Sequence, residues 1–347
     1  MSQKKDVFQP DDRFFRQAMA DKSVARRYLQ HFYPEIAAIA DLEHLQQQSS
    51  QALRPNLKLF DSDIVYRCRF KGEEEKHFYF SLLFEHKSAP NEHTAIQVGL
   101  YIFLIMRRLS VSDEHELEPV LPLVFYNGAE DWQPKTVRQL FEGSLHYKQL
   151  EPYLPDFRFL FKNITKVPPG ELQELERSFF RSAMLAMALR HRPRLILNYI
   201  TPILEGIEGE RMKALMVYTL AVMERSPKQF MEALENIEFT TKPEAMSTLE
   251  MLKEQGRQEG RKEERQINQA TYLLRTAAKF PQLQDTELAD FTGLPLAAVQ
   301  AFQEQLKASS PASLMQYIEE ELLAGIPLRA EDRRIIEELA EQLFSQR

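Results

Sequence analysis

A single cysteine, Cys68, stands in 347 residues. One thiol makes no intrachain disulfide and no thiolate metal cluster, which fits a reducing compartment. Placed in mid-strand, it reads as a small buried hydrophobe. Long apolar runs are scarce: the longest, residues 98–106, is nine residues, whereas a bilayer-spanning helix needs about 20. No basic-then-apolar signal pattern opens the sequence. These absences predict a cytoplasmic protein with no membrane partner. An excess of positive charge is also missing, with 44 Lys and Arg against 51 Asp and Glu and a net charge of −7. Broad coating of nucleic acid, which relies on positive potential, is therefore excluded, and any such contact needs a local basic patch and bound cations. The sequence has no Gly-rich phosphate loop, no zinc-ligand spacing and no nucleophile elbow.

What is present is enough for a real core, with 44% apolar and 10% aromatic residues over a length that suits two or three domains. Residues 7–39 carry Phe14, Phe15, Met19, Val24, Tyr28, Leu29 and Phe32 at three- and four-residue spacing. That pattern predicts two packing helices, with Pro34 opening a new turn. The Gln-rich residues 41–53 give no clear pattern. Residues 64–70 alternate, Tyr66, Cys68 and Phe70 against Val65, Arg67 and Arg69, and a polar turn over residues 71–76 joins them to a second strand. This second strand is aromatic and aliphatic from Phe78 to Phe84 but for Ser81, as in a strand buried on both faces.

The apolar strand ends abruptly in Glu85-His86-Lys87. Alternation sets Glu85 and Lys87 on one face and His86 on the other. Antiparallel pairing of the hairpin brings Asp63 near Glu85, so two carboxylates and an ammonium converge at one rim. Such a rim suits a hard divalent cation and an activated water. A helix over residues 94–108 is apolar all round and predicts burial against the sheet. Within the helix body, before Arg107 and Arg108 close it, Gln97 is the one strongly polar side chain, read as satisfied locally. Residues 120–126 predict a further strand closed by Asn127-Gly128, with Trp132 packing over its end, and residues 157–164 one more. Helices flanking a small mixed sheet make the fold α/β.

Asp63 followed, a hairpin later, by Glu85-x-Lys87 resembles the signature of PD-(D/E)xK nucleases. The surrounding segments DDRFFRQAMAD, FDSDIVYRCRF, FSLLFEHKSAP, AIQVGLYIFLI and LPLVFYNGAEDW, in this order, are similar to the Rpn family of recombination-promoting nucleases, the YhgA-like or transposase-like proteins. The resemblance implies a restriction-endonuclease-like core, double-stranded DNA as partner, and a role in recombination, mobile elements or phage defence. It implies Mg2+, or Mn2+ or Ca2+ in its place, held by Asp63, Glu85 and the main-chain carbonyl of His86. The catalytic set it implies is Asp63, Glu85, Lys87 and Gln97. Two family histidines are replaced: the His-Asp-x-Phe motif reads Asp11-Asp12-Arg13-Phe14, and the His-Gly motif reads Asn127-Gly128.

From residue 171 on, the pattern is helical only, with amphipathic blocks over residues 171–190, 194–204, 210–225 and 228–237. Arg190-His191-Arg192-Pro193-Arg194 is the densest basic cluster, a solvated helix end or a phosphate contact. Residues 255–266 are mixed in charge and read as a solvated connector. Residues 285–306 read as helix, Thr-Gly turn and helix, which resembles a helix-turn-helix. The expected division is a nuclease-like domain over 1–170, a helical domain over 171–250, a connector over 251–270 and a small helical region over 271–347. Two functions compete: a metal-dependent DNA endonuclease acting as a homodimer, and a non-catalytic binding or assembly protein that uses its helical C-terminal half.

Overall fold

The computed structural model describes residues 10–48, 64–85, 90–110, 118–144, 146–308 and 310–345. They form two compact units, Met1–Glu250 and Met251–Arg347.

The first unit opens with α1 (Pro10–Ala20), α2 (Lys22–Phe32) and α3 (Pro34–Ile39). Pro10 and Pro34 occupy first-turn positions, where proline's missing N–H is no loss, and Asp21 caps α2 by accepting from the Ser23 N–H at 2.9 Å. Where two helices were expected there are three, because Pro34 starts a helix of its own. The Gln-rich stretch is a strand, β1 (Ala40–Gln48). Its pairing with β2 slips between Asp41 and Gln46, and the bulge buries Leu42 and Leu45 three apart. That spacing hides the two-residue period of a strand.

β2 (Ile64–Phe70) and β3 (Glu73–Glu85) form the expected hairpin. Gly72 turns it at a φ of 76°, a conformation that favours glycine. α4 (Thr94–Ser110) then carries the chain to β4 (Val120–Tyr126), parallel to β3, and β5 (Leu160–Asn163) adds in parallel beyond it. The sheet order β1-β2-β3-β4-β5 follows the sequence.

Helices cover both faces. On one side Phe15 meets Phe125 at 4.7 Å between ring centres, and the Tyr66 hydroxyl donates to the Met19 carbonyl at 2.6 Å. On the other, Val98, Tyr101 and Ile102 of α4 close over Val124, and Ile105 packs on Val65 and Tyr79. α4 is not buried all round, as its composition suggested: Ile96, Leu100 and Phe103 are 52%, 46% and 59% exposed. A helix in an outer layer has only one face against the sheet, and this one carries apolar residues on both.

Past the sheet, residues 171–190 do not make one helix. A new start at Ser178, whose hydroxyl accepts from the Arg181 N–H at 3.3 Å, begins α5 (Phe179–Ala188), buried along its whole length. α6 (Gly209–Met223) follows, and α1 packs against both: Phe14 stacks on Tyr218 at 4.3 Å and meets Phe179 edge-on at 6.4 Å.

α7 (Lys242–Lys279) is one continuous helix. From Met251 onward it belongs to the second unit, with α8 (Asp285–Thr292), α9 (Leu296–Ala308), α10 (Pro311–Tyr317) and α11 (Ala330–Ser345). Their shared core includes Leu273, Leu274, Phe302, Leu314, Ile318 and Ile336, and Gly293 turns the chain between α8 and α9 at a φ of 66°. Among the described residues no helix is long and apolar enough to cross a membrane.

Candidate functional site

The three parallel strands end together. Glu85 is the last residue of β3 and lies beside Tyr126, the last of β4, which lies beside Asn163, the last of β5. In α/β sheets the carboxyl ends of parallel strands are where ligands bind. At the antiparallel edge, Ile64 pairs with Leu82, so β2 begins three residues short of Glu85 along β3. Asp63, His86 and Lys87 lie outside the described residues.

Gln97 sits in the first turn of α4. Its amide oxygen accepts from the Asn91 side chain at 3.1 Å, and the Asn91 oxygen in turn accepts from the His93 N–H at 3.0 Å. Among the described residues no group of three His, Cys, Asp or Glu side chains stands close enough to hold a metal ion.

Local contacts fix the backbone of this rim. The Thr165 hydroxyl lies 2.7 Å from the Asn163 side-chain oxygen and 3.3 Å from the Gly128 carbonyl, and Trp132 packs over the strand end against Tyr126 and Phe161 as expected. Gly128 has no alternative, since a Cβ there would stand 2.1 Å from the Tyr126 hydroxyl.

Behind the rim lies a buried polar network that joins the two replaced family histidines. Asp11, 1% exposed, takes the Arg190 guanidinium at 2.6 Å and the Tyr218 hydroxyl at 2.9 Å on the same oxygen. The Asn127 amide nitrogen stands 3.5 Å from that oxygen and 3.4 Å from Tyr218. Asn127 continues outward: its carbonyl is 2.9 Å from Nε2 of His191. A carbonyl only accepts, so Nε2 carries the proton. Burial, with the Asp11 charge second, holds the Tyr218 phenol well above its usual range, so the phenol is a donor at neutral pH. The network presents a fixed carboxylate and orients the chain just after β4; it orders the rim and is not itself a nucleophile.

Two of its members escaped the sequence reading. Arg190 reads with its basic cluster as a solvated helix end or a phosphate contact, and nothing singles out Tyr218 within its amphipathic block. The usable signal was Asp11, a carboxylate on the same stripe of α1 as Phe15 and Ala18, because a buried charge needs a partner.

A family model described as "Putative transposase, YhgA-like" matches residues 9–213, more than half of the chain. Recombination-promoting nuclease RpnC of Escherichia coli K12 is 25% identical over 215 residues, 61% of this chain and 70% of that protein. RpnA, also named a recombination-promoting nuclease, is 24% identical over 287 residues, 74% of this chain and 87% of its own. RpnE of the same organism, named an inactive recombination-promoting nuclease-like protein, is 24% identical over 259 residues, 72% of this chain and 84% of that one. No solved structure matches.

Proposed function

Since the chain belongs to the YhgA-like, or Rpn, family, we propose that it is a metal-dependent endonuclease that hydrolyses phosphodiester bonds in double-stranded DNA, with a PD-(D/E)xK core and a role linked to recombination. The observation that carries the reading is Glu85 as the last residue of a central strand, beside the end of the parallel strand β4. Family membership supplies the reaction class.

The Asp63 and Glu85 carboxylates with the His86 carbonyl make a set of hard oxygen donors, the kind that Mg2+ takes. Bound there, the ion would polarise the scissile phosphate and lower the pKa of a coordinated water. Lys87, two residues on from Glu85 in the sequence, would orient the attacking water and steady the charge that develops on phosphorus. Gln97, one turn into the helix that follows, adds a neutral amide.

A plasmid-nicking assay with Mg2+ and with EDTA tests this reading. Cleavage with Mg2+, its loss in EDTA, and its loss in Glu85→Ala and Asp63→Ala with unchanged thermal unfolding are the expected results. A Glu85→Ala protein that cuts at the wild-type rate would remove Glu85 from the mechanism. Lys87→Gln is expected to retain more activity than Lys87→Ala, because an amide still hydrogen-bonds a water.

RpnE, named inactive, favours a second reading, in which the chain binds or assembles without cutting. Calorimetric titration with Mn2+ separates the two, since an assembly protein has no need of the ion.

A further inference from the structure

Net charge of −7 leaves the hold on a polyanion to a local patch. In the first unit the described arginines that cluster around a cavity are already neutralised. A cavity of about 440 Å3 there is lined by Arg26, Arg27, Arg177 and Arg211. Each is already paired, with Glu43, Glu176, Glu205 and Asp21 respectively. The Arg190 cluster has likewise given its first arginine to Asp11.

α7 is different. Arg261, Arg265, Asn268, Tyr272, Arg275 and Lys279 follow one another at steps of four and three along the helix, which keeps them on one face. The eighteen residue steps from Arg261 to Lys279 make about five turns and span about 27 Å. All six are exposed. The opposite face carries Ala270, Leu273, Leu274 and Ala277, which are buried in the second unit's core, so the helix is held by one side and the stripe is turned away from it. None of the four cations has a carboxylate within ion-pair distance among the described residues; Lys279 stands over the Phe280 ring at 5.4 Å. Arg261, Arg265, Asn268 and Tyr272 also line a shallow groove of about 400 Å3, with Glu264, Gln269 and Thr292 as its other walls. Glu264 is the one acid in that groove.

The arginines that gather around the first unit's cavity all hold carboxylates. Three arginines and a lysine that stay unpaired on one straight line, interleaved with an Asn and a Tyr, match a charged rod better than a compact anion. The length equals the rise of about eight base pairs. We propose that this stripe of α7 is a docking surface for the phosphate backbone of double-stranded DNA, separate from the strand-end rim. Arg261 with Arg265, and Arg275 with Lys279, grip phosphates at the two ends, and Asn268 and Tyr272 contact sugar and phosphate between them. The choice of DNA as the polyanion rests on the nuclease reading; the unpaired cationic stripe does not.

The test is fluorescence anisotropy of the full-length chain with a labelled DNA duplex in EDTA, so that no cutting intervenes, over about 50 to 200 mM salt. The variant R261Q/R265Q/R275Q/K279Q is expected to lose at least about tenfold in affinity, with a salt slope shallower by about three. A charge-matched control off the stripe, K262Q/K307Q/R333Q/R334Q, is expected to bind like wild type. Should the fourfold variant unfold by circular dichroism, the pairs R261Q/R265Q and R275Q/K279Q are measured separately, each with about half the change in slope. Equal affinity and slope in wild type and variant overturn the proposal. So does an equal loss in the control, which would mean bulk charge alone, and so does binding of an RNA duplex in place of DNA. Stripe-dependent binding with no cleavage in Mg2+ or Mn2+ would leave this proposal standing and sink the nuclease. Metal-dependent cleavage with stripe-independent binding would do the reverse.

Discussion

Asp11 shows how one residue ties distant parts of a chain into a working rim. Its carboxylate is buried, and Arg190, which neutralises it, is about a quarter exposed. Removing one partner of a buried pair is more damaging than removing both, because the survivor is left charged and dry. Arg190→Met is therefore expected to lower stability by about 3 kcal/mol, while Asp11→Leu with Arg190→Met recovers most of that loss. Urea unfolding of the two single variants and the double variant measures the coupling directly. Burial also governs the titration of nearby groups. The Cys68 thiol is pushed up to about 12, chiefly by desolvation and then by the Asp41 charge. It is expected to react with Ellman's reagent at pH 8 only when the protein unfolds. Tyr28 and Tyr218 are held well above their usual value of 10.0, first by desolvation. The unfolded chain loses those protons near pH 10 while the native one keeps them, so their share of stability is present below pH 10 and is lost as pH rises past it. Absorbance at 295 nm is expected to show them ionising together with unfolding; independent ionisation before unfolding would refute the assignment.

At the level of elements, legibility depended on whether local pattern and tertiary environment agree. β2, β3 and β4 stood out because their alternation or apolar runs match their places in the sheet. β1 did not, because its bulge puts Leu42 and Leu45 out of the two-residue period. Arg190 could not be placed from its neighbours Arg192 and Arg194, since its partner lies far away in sequence. Of the expected site, Glu85 is at a strand end and Gln97 is at the start of α4, whereas Asp63, His86 and Lys87 rest on the family pattern. α4 was read as a buried helix from composition alone, which carries no information on what covers its outer face. That face carries Ile96, Leu100 and Phe103, with exposed Glu92 before it and exposed Arg107 after it. Two copies packed antiparallel about Leu100 would oppose Glu92 of each to Arg107 of the other, a self-complementary contact. Should the chain form the expected homodimer through this face, Leu100→Glu is expected to leave it monomeric in light scattering, without loss of fold. A wild-type chain that is already monomeric at high concentration would end this assignment.

The chain divides into two compact units. Trp132, the only tryptophan, is buried in the first unit at the end of the sheet, so its fluorescence follows that unit alone. Far-ultraviolet dichroism follows both units, and among its described residues the second has helices and no strand. Denaturant curves recorded by the two probes are expected not to coincide, since two-state behaviour holds only for a single cooperative unit. Superimposed curves would mean that the units unfold as one.

The reach of the Asp11 network also sets an order of manufacture. Each strand in the sheet neighbours the one made just before it, so on a ribosome the sheet can grow by simple addition as residues 40–163 emerge. α1 has to wait for its polar partners. Its acid is separated from the Tyr218 hydroxyl by 207 residues, and no closer segment offers that donor or the Arg190 cation. Until α6 leaves the exit tunnel, α1 can meet the sheet through Phe15 and Met19 but cannot complete the network around Asp11. A nascent chain stalled before Tyr218 should therefore carry an assembled sheet and a leading end more sensitive to protease than in the full chain.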